Sequence, residues 1–130
     1  MGILIDSDII IDFLNNQIPA VNFFKDSAVN KEIFISIITW IEVTYGFKKN
    51  TTANKFKIFR DFLEDYKITF IFVDENVAEK FLDVKINLEN KRIPLADFDL
   101  LIASTALAYN LSLITRNTKH FKRIKDLNLL

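Results

Sequence analysis

Residues 2–14 read GILIDSDIIIDFL, an apolar run that stops at Asp6 and is followed by apolar residues recurring at helical spacing. Residues 2–5 are too short for a helix and carry no polar alternation. They predict a strand buried on both faces. A helix is predicted over 7–15, with Asp6 at the junction in the N-cap position and Asp8 in the first turn, where its charge complements the helix dipole.

Strands and helices continue to alternate along the chain. Asn15, Asn16 and Pro19 punctuate the start of a second helix over 20–29. A strand over 32–35 is followed by Ser36, which caps a helix to 49, and Thr52 caps another to 66. The β-branched and aromatic stretch 68–73 is a third strand, and Asp74 caps a long amphipathic helix to 90. Asp97 is placed as the N-cap of a buried helix ending near 110, with Asp99 in its first turn, and 111–115 is a fourth strand. A short fifth strand is expected in the last residues. Apolar strands separated by helices argue for a mostly parallel central sheet of four to five strands with helices on both faces, a doubly wound α/β architecture. In such sheets ligands gather beyond the carboxyl ends of the strands, where strand order reverses.

Composition narrows the function. In 130 residues, 50% are hydrophobic and 13 are Phe, enough for a substantial core in one domain spanning 1–130, and with two Gly, two Pro and no internal repeat there is no candidate linker. Lys+Arg 17 balances Asp+Glu 17, so any nucleic-acid binding must use local basic patches. The absence of cysteine excludes disulfides and thiolate catalysis and fits a cytoplasmic protein. Asp6, Asp8 and Asp12 interrupt the amino-terminal apolar stretch, which excludes a signal-peptide core, and no apolar run reaches the roughly 20 residues of a membrane span.

Four positions stand out as candidate metal ligands. Asp6 ends the first strand; Glu42 is the one charge between Ile33 and Phe47; Asp97 and Asp99 open a segment that is uncharged until Arg116. The helical neighbours of Glu42, namely Ile38, Thr39, Tyr45 and Gly46, cannot neutralise it, and its helix reads as apolar all round. Desolvating such carboxylates without a basic partner is costly, and a divalent cation offsets the cost. Each also has a plain structural role available: Asp6, Asp97 and Asp99 as caps or first-turn acids, and Glu42 as half of an ion pair with a distant base. Ser36 and Thr115 lie at strand ends, where they can position water or substrate or simply cap and turn the chain. His120, the single histidine, reads as an isolated surface residue and makes no catalytic triad.

ILIDSDIIIDFL, then Glu42 within ITWIEVTYGF, then DFDLLIASTALAYNLSLITRNTKHF resemble, in that order and over essentially the whole chain, the PIN-domain family, and in length its VapC type of toxin ribonuclease. The resemblance implies a three-layer PIN-like domain, endoribonuclease activity dependent on Mg²⁺ or Mn²⁺, a small cognate antitoxin and a homodimer. It carries Asp6, Glu42 and Asp99 over as acidic metal ligands. The family's fourth acidic position falls on Asn117, a neutral amide, and Asp97 would sit near the same site as an outer contact. Hard carboxylate oxygens suit such cations, and a bound ion can activate water against a phosphodiester.

Two basic stretches are candidates for RNA phosphates or ordinary solvated faces: Lys48, Lys49, Lys55, Lys57 and Arg60, and Arg116, Lys119, Lys122, Arg123 and Lys125. Phe47, Phe56, Phe59, Phe62 and Leu63 exceed what one sheet face needs and suggest a protein interface. Two other readings compete: a catalytically silent PIN-like module that binds protein or RNA, and a haloacid dehalogenase-type phosphatase using Asp6 as nucleophile. The second lacks that family's Gly and Thr after Asp8, where Ile-Ile-Ile stands instead.

Overall fold

The computed structural model describes residues 2–50 and 53–130. Four strands, β1 (Ile3–Ile5), β2 (Ile33–Ser36), β3 (Thr69–Ile71) and β4 (Ser112–Ile114), form one sheet in the order β3-β2-β1-β4, all pairs parallel. The helices are α1 (Ser7–Leu14), α2 (Ile18–Asn22) continuing as a π-helical turn (Phe23–Ser27), α3 (Ile37–Lys49), α4 (Ala53–Asp65), α5 (Glu75–Asn90), α6 (Asp97–Ala108) and α7 (Thr118–Phe121).

Strand alternation divides the interior in two. Side chains of successive strand residues point to opposite faces, so Ile3, Ile5, Ile33 and Ile35 join one core with residues of α1, α2, α3 and α4, while Leu4 and Leu113 join a second with residues of α5, α6 and α7. Helix α3 serves both, giving Val43 to the first and Ile38 to the second. The result is a three-layer α/β domain.

Several element ends differ from the sequence reading for local reasons. Helix α2 starts at Ile18, because Pro19 in the first turn lacks only an N–H that no helical carbonyl would accept. It closes with an i→i+5 bond from Ala28 N–H to the Phe23 carbonyl, 2.8 Å. Ser36 caps α3 by accepting from Ile38 N–H at 3.0 Å, and Asp74 caps α5 by accepting from Val77 N–H at 2.9 Å. Thr52, expected to cap α4, lies outside the described residues. The expected fifth strand is a single parallel bridge, Leu113 to Leu129; Leu113 N–H reaches the Asn128 carbonyl and Leu130 N–H reaches that of Leu113.

The phenylalanines expected at an interface belong largely to the core. Phe59 and Phe62 are buried, Phe47 and Leu63 pack against the first core, and Phe62 lies in a ring cluster with Phe13, Phe24 and Tyr66. The spacing was misleading because α4 packs on α1 and α3 rather than on the sheet alone, so it needs a wider apolar face. Conversely α3 is not buried all round, since Ile41 and Tyr45 are exposed.

Gly2 allows the first strand to dock. A Cβ built there would stand 2.6 Å from Phe34 Cε2 and 2.8 Å from Leu111 Cδ2. Gly2→Ala therefore overpacks the edge of the second core and should cost about 1–3 kcal/mol of stability. Urea denaturation of the two proteins measures it; equal midpoints would show that Phe34 and Leu111 yield freely.

Candidate active site

The strand order places β1 between β2 and β4, and the chain leaves β1 toward one side and returns to β4 on the other. This is the topological switch point of an open parallel sheet. At that edge Asp6 N–H donates to the Ile114 carbonyl at 3.0 Å, which ties the residue after β1 to the end of β4.

Asp6 is 5% exposed. Its Oδ1 accepts from Ser7 N–H at 2.7 Å as the N-cap of α1, and its Oδ2 accepts from Thr115 Oγ1 at 2.7 Å. Hydrogen bonds to a charged group contribute about 1.5–3 kcal/mol each, comparable in sum to the several kcal/mol that burying one carboxylate costs. They hold Asp6 in place without neutralising it. Glu42, half-buried in the second turn of α3, accepts from Ser7 Oγ at 3.1 Å, and that hydroxyl also lies 3.4 Å from Asp6 Oδ1. Ser7 thus links the acids of α1 and α3. Asp99, in the first turn of α6, has no hydrogen-bond partner among the described residues.

The electrostatics show that these carboxylates share one field. Burial raises the proton affinity of Asp6 above the ordinary carboxylate value, against the hydrogen bonds from Thr115 and Ser7, and the charge of Asp99 raises it further. Burial likewise raises Glu42, helped by Asp6, Asp99 and Asp8. Asp99 is raised by burial and by Asp8, and lowered by His120 beside it. Desolvation and like-charge repulsion act in the same direction on all of them.

Sequence reasoning missed two contributors. Asp8 read as a dipole-complementing acid, yet it stands within the cluster, and Ser7 was not singled out at all. The i, i+1 and i+2 spacing of Asp6, Ser7 and Asp8 was the available signal, but only the turn after β4, which holds the two aspartates, and Glu42, which accepts from Ser7, bring them together. His120 is exposed, as expected, but not isolated: it accepts at Nδ1 from Asn117 Nδ2 at 2.8 Å.

Other expected residues go elsewhere. Asp97 is not the cap of α6; Ala96 holds the cap position, and Asp97 is exposed and paired with Lys85 at 2.6 Å. One residue of helix phase, about 100°, separates each position from the next, so Asp97 and Asp99 diverge by about 200°. Ser36 is fully buried and its hydroxyl is engaged as the α3 cap. Of the basic candidates, Lys48 and Lys49 are exposed in the last turn of α3, about 9 and 10.5 Å along the helix from Glu42. Arg116 and Lys119 are exposed at the end of β4, where the Arg116 guanidinium pairs with Asp12 at 2.7 Å.

Among the described residues, no three His, Cys, Asp or Glu side chains are placed so that they could together hold a metal ion. The donor chemistry nevertheless fits a hard divalent cation: all-oxygen ligands, crowded negative charge, and a buried Asp8 Oδ1 without a hydrogen-bond partner. Mg²⁺ in particular retains waters and needs only one or two carboxylates, so a closed cage is not required.

Residues 3–127 match the PIN domain. This chain belongs to the PIN-domain family. Within the PIN-domain family it is 33% identical over 132 aligned positions to Ribonuclease VapC of Rickettsia bellii, covering 100% of this chain and 96% of that protein. It is 29% identical to Ribonuclease VapC1 of Methanocaldococcus jannaschii, covering 98% and 84%. Among solved structures, a chain of VapBC2 from Rickettsia felis bound to a DNA fragment from its promoter superposes with a TM-score of 0.89 at 30% identity, covering 100% of this chain and 98% of that one. VapBC-1 from nontypeable Haemophilus influenzae gives 0.85 at 27%, covering 100% and 97%. PIN membership removes the dehalogenase-type reading, and Asp6 accordingly caps its own helix with its carboxylate hydrogen-bonded on both oxygens.

The raised proton affinities carry a pH consequence for the metal-free protein. A group that holds its proton more tightly when folded contributes stability fully below its unfolded value, here 3.8 for Asp and 4.5 for Glu, and loses it as pH rises through the folded value. The melting temperature in chelator should therefore fall as pH is raised from about 4 toward neutrality. Glu42→Gln should raise the melting temperature at pH 7 and flatten that slope. A large loss of stability in Glu42→Gln would mean that the charge is needed for folding.

Proposed function

We propose that this chain is the endoribonuclease toxin of a toxin–antitoxin pair, hydrolysing RNA phosphodiester bonds with Mg²⁺ or Mn²⁺ at Asp6, Glu42 and Asp99. The observation that carries the reading is the gathering of these carboxylates in one electrostatic field at the carboxyl edge of the sheet, in a chain that aligns end to end with VapC ribonucleases. Solved relatives of the whole chain are VapBC complexes, which supports a small antitoxin as partner. No helix among the described residues is long and apolar enough to cross a membrane, and an RNA substrate suits a cytoplasmic site of action.

A bound divalent ion supplies a Lewis acid that polarises the phosphoryl group and lowers the pKa of a coordinated water. The chain's own residues prepare for it. Thr115 and Ser7 fix Asp6 so that its remaining lone pairs keep their direction. Ser7 Oγ fixes Glu42 relative to Asp6, and Asp99, in the first turn of α6, adds its charge to the same field. Arg116 and Lys119 at the rim, and Lys48 and Lys49 at the end of α3, suit the phosphates of a bound strand; they orient RNA without reading its sequence. Exposed Ile41 and Tyr45 on α3 and Leu82 and Ile86 on α5 supply apolar surface for a homodimer or the antitoxin.

Purified protein incubated with total RNA in Mg²⁺, in Mn²⁺ and in excess chelator, followed by mapping of the new RNA ends, tests this directly. Cleavage is expected with either metal and not in chelator, and Asp99→Asn should reduce it by at least about a hundredfold with the fold retained. Full cleavage in chelator would refute the metal dependence. RNA binding without cleavage under all three conditions would favour the silent binding module instead. A protein encoded beside this one that binds it and abolishes cleavage would identify the antitoxin.

A further inference from the structure

Asp8 occupies the first turn of α1, where an acid ordinarily does no more than complement the helix dipole. Here it is drawn inward. Its Oδ2 accepts from Arg116 N–H at 3.0 Å and lies 3.4 Å from Thr115 Oγ1, the hydroxyl that donates to Asp6 Oδ2 at 2.7 Å. The turn after β4 thereby holds the two aspartates side by side. Asp8 Oδ1 has no exposed surface and no hydrogen-bond partner among the described residues.

A carboxylate oxygen only accepts, so Oδ1 is complete only with a donor or a cation. The neighbouring cation does not supply it, because the Arg116 guanidinium is engaged with Asp12 at 2.7 Å. Had the position served merely to accept the Arg116 N–H, a neutral amide would do so without adding a negative charge beside Asp6.

We propose that Asp8 is the fourth carboxylate of the acidic centre, joining Asp6, Glu42 and Asp99 in holding the divalent cation and its waters. The inference rests on the metal-dependent reading above. Its signature is two effects of opposite sign: neutralising Asp8 relieves repulsion in the metal-free protein and weakens the metal-bound one. A structural role moves only the first quantity, and in the other direction.

Calorimetric titration with Mn²⁺ in the absence of RNA, with thermal unfolding in chelator alongside, tests the proposal on the wild type, Asp8→Asn and Asp99→Asn. Asp8→Asn should melt no lower than wild type in chelator and bind Mn²⁺ about tenfold or more weakly. A smaller change in Asp8→Asn, with Asp99→Asn strongly impaired, would overturn the role of Asp8 and leave the metal-dependent reading intact. If the wild type itself binds no Mn²⁺ at millimolar concentration, the metal-dependent reading fails and takes this one with it. Asp8→Ser provides a second neutral variant; if both neutral variants unfold in chelator, Asp8 is structural and the proposal is refuted.

Discussion

The hydrogen bond from Thr115 Oγ1 to Asp6 Oδ2 joins the two halves of the molecule at the place where its negative charges meet. Thr115 follows β4 and Asp6 follows β1, 109 residues apart in sequence. The same hydroxyl accepts from Asn117 N–H at 3.0 Å, so one side chain both shapes the turn after β4 and orients the buried aspartate. Without that turn the carboxylates of α1 would have no common direction. With it, Asp6 and Asp8 stand beside each other, and Ser7 between them reaches across to Glu42.

Holding like charges together is unfavourable, and the rest of the fold absorbs the cost. Two apolar cores flank the sheet, one built on Ile3, Ile5 and the ring cluster around Phe62, the other on Leu4, Leu113 and the small-residue face of α6. Ala103, Ser104 and Ala106 are essentially inaccessible to solvent, which lets α6 approach closely and brings Asp99 to the strand ends. Gathering like charges in this way departs from local consistency, a departure that in proteins is most often found at functional sites.

Arg116 and His120 lie beside the acidic field without cancelling it. Arg116 contributes its backbone N–H to Asp8 but its guanidinium to Asp12, one turn further along α1. His120 faces Asp99 from α7 while its Nδ1 is occupied by Asn117. Arg116 is thus held by the acids of α1 themselves, through its backbone and its side chain.

Much of this was legible in the sequence, because strand runs, helix periodicity and caps are local. The alternation from β1 through β4 follows from apolar runs too short for helices, and the caps at Asp6, Ser36 and Asp74 follow from side-chain geometry within three residues. Asp6, Glu42 and Asp99 were visible as carboxylates lacking local partners. What the sequence could not supply was direction. Asp97 and Asp99 differ only in helix phase, and packing of α6 on α5 sent the first to Lys85 and the second to the site. The phenylalanines of α4 have the spacing of an interface and the burial of a core, since only the assembled layers decide how wide a helix face is covered. Asp8 had a satisfactory local role as a first-turn acid, and it was the turn after β4, more than a hundred residues away, that drew it into the cluster. Local interactions determine which elements form; long-range packing determines which of their side chains meet, because a side chain's surroundings depend on chain segments that its own neighbourhood does not contain.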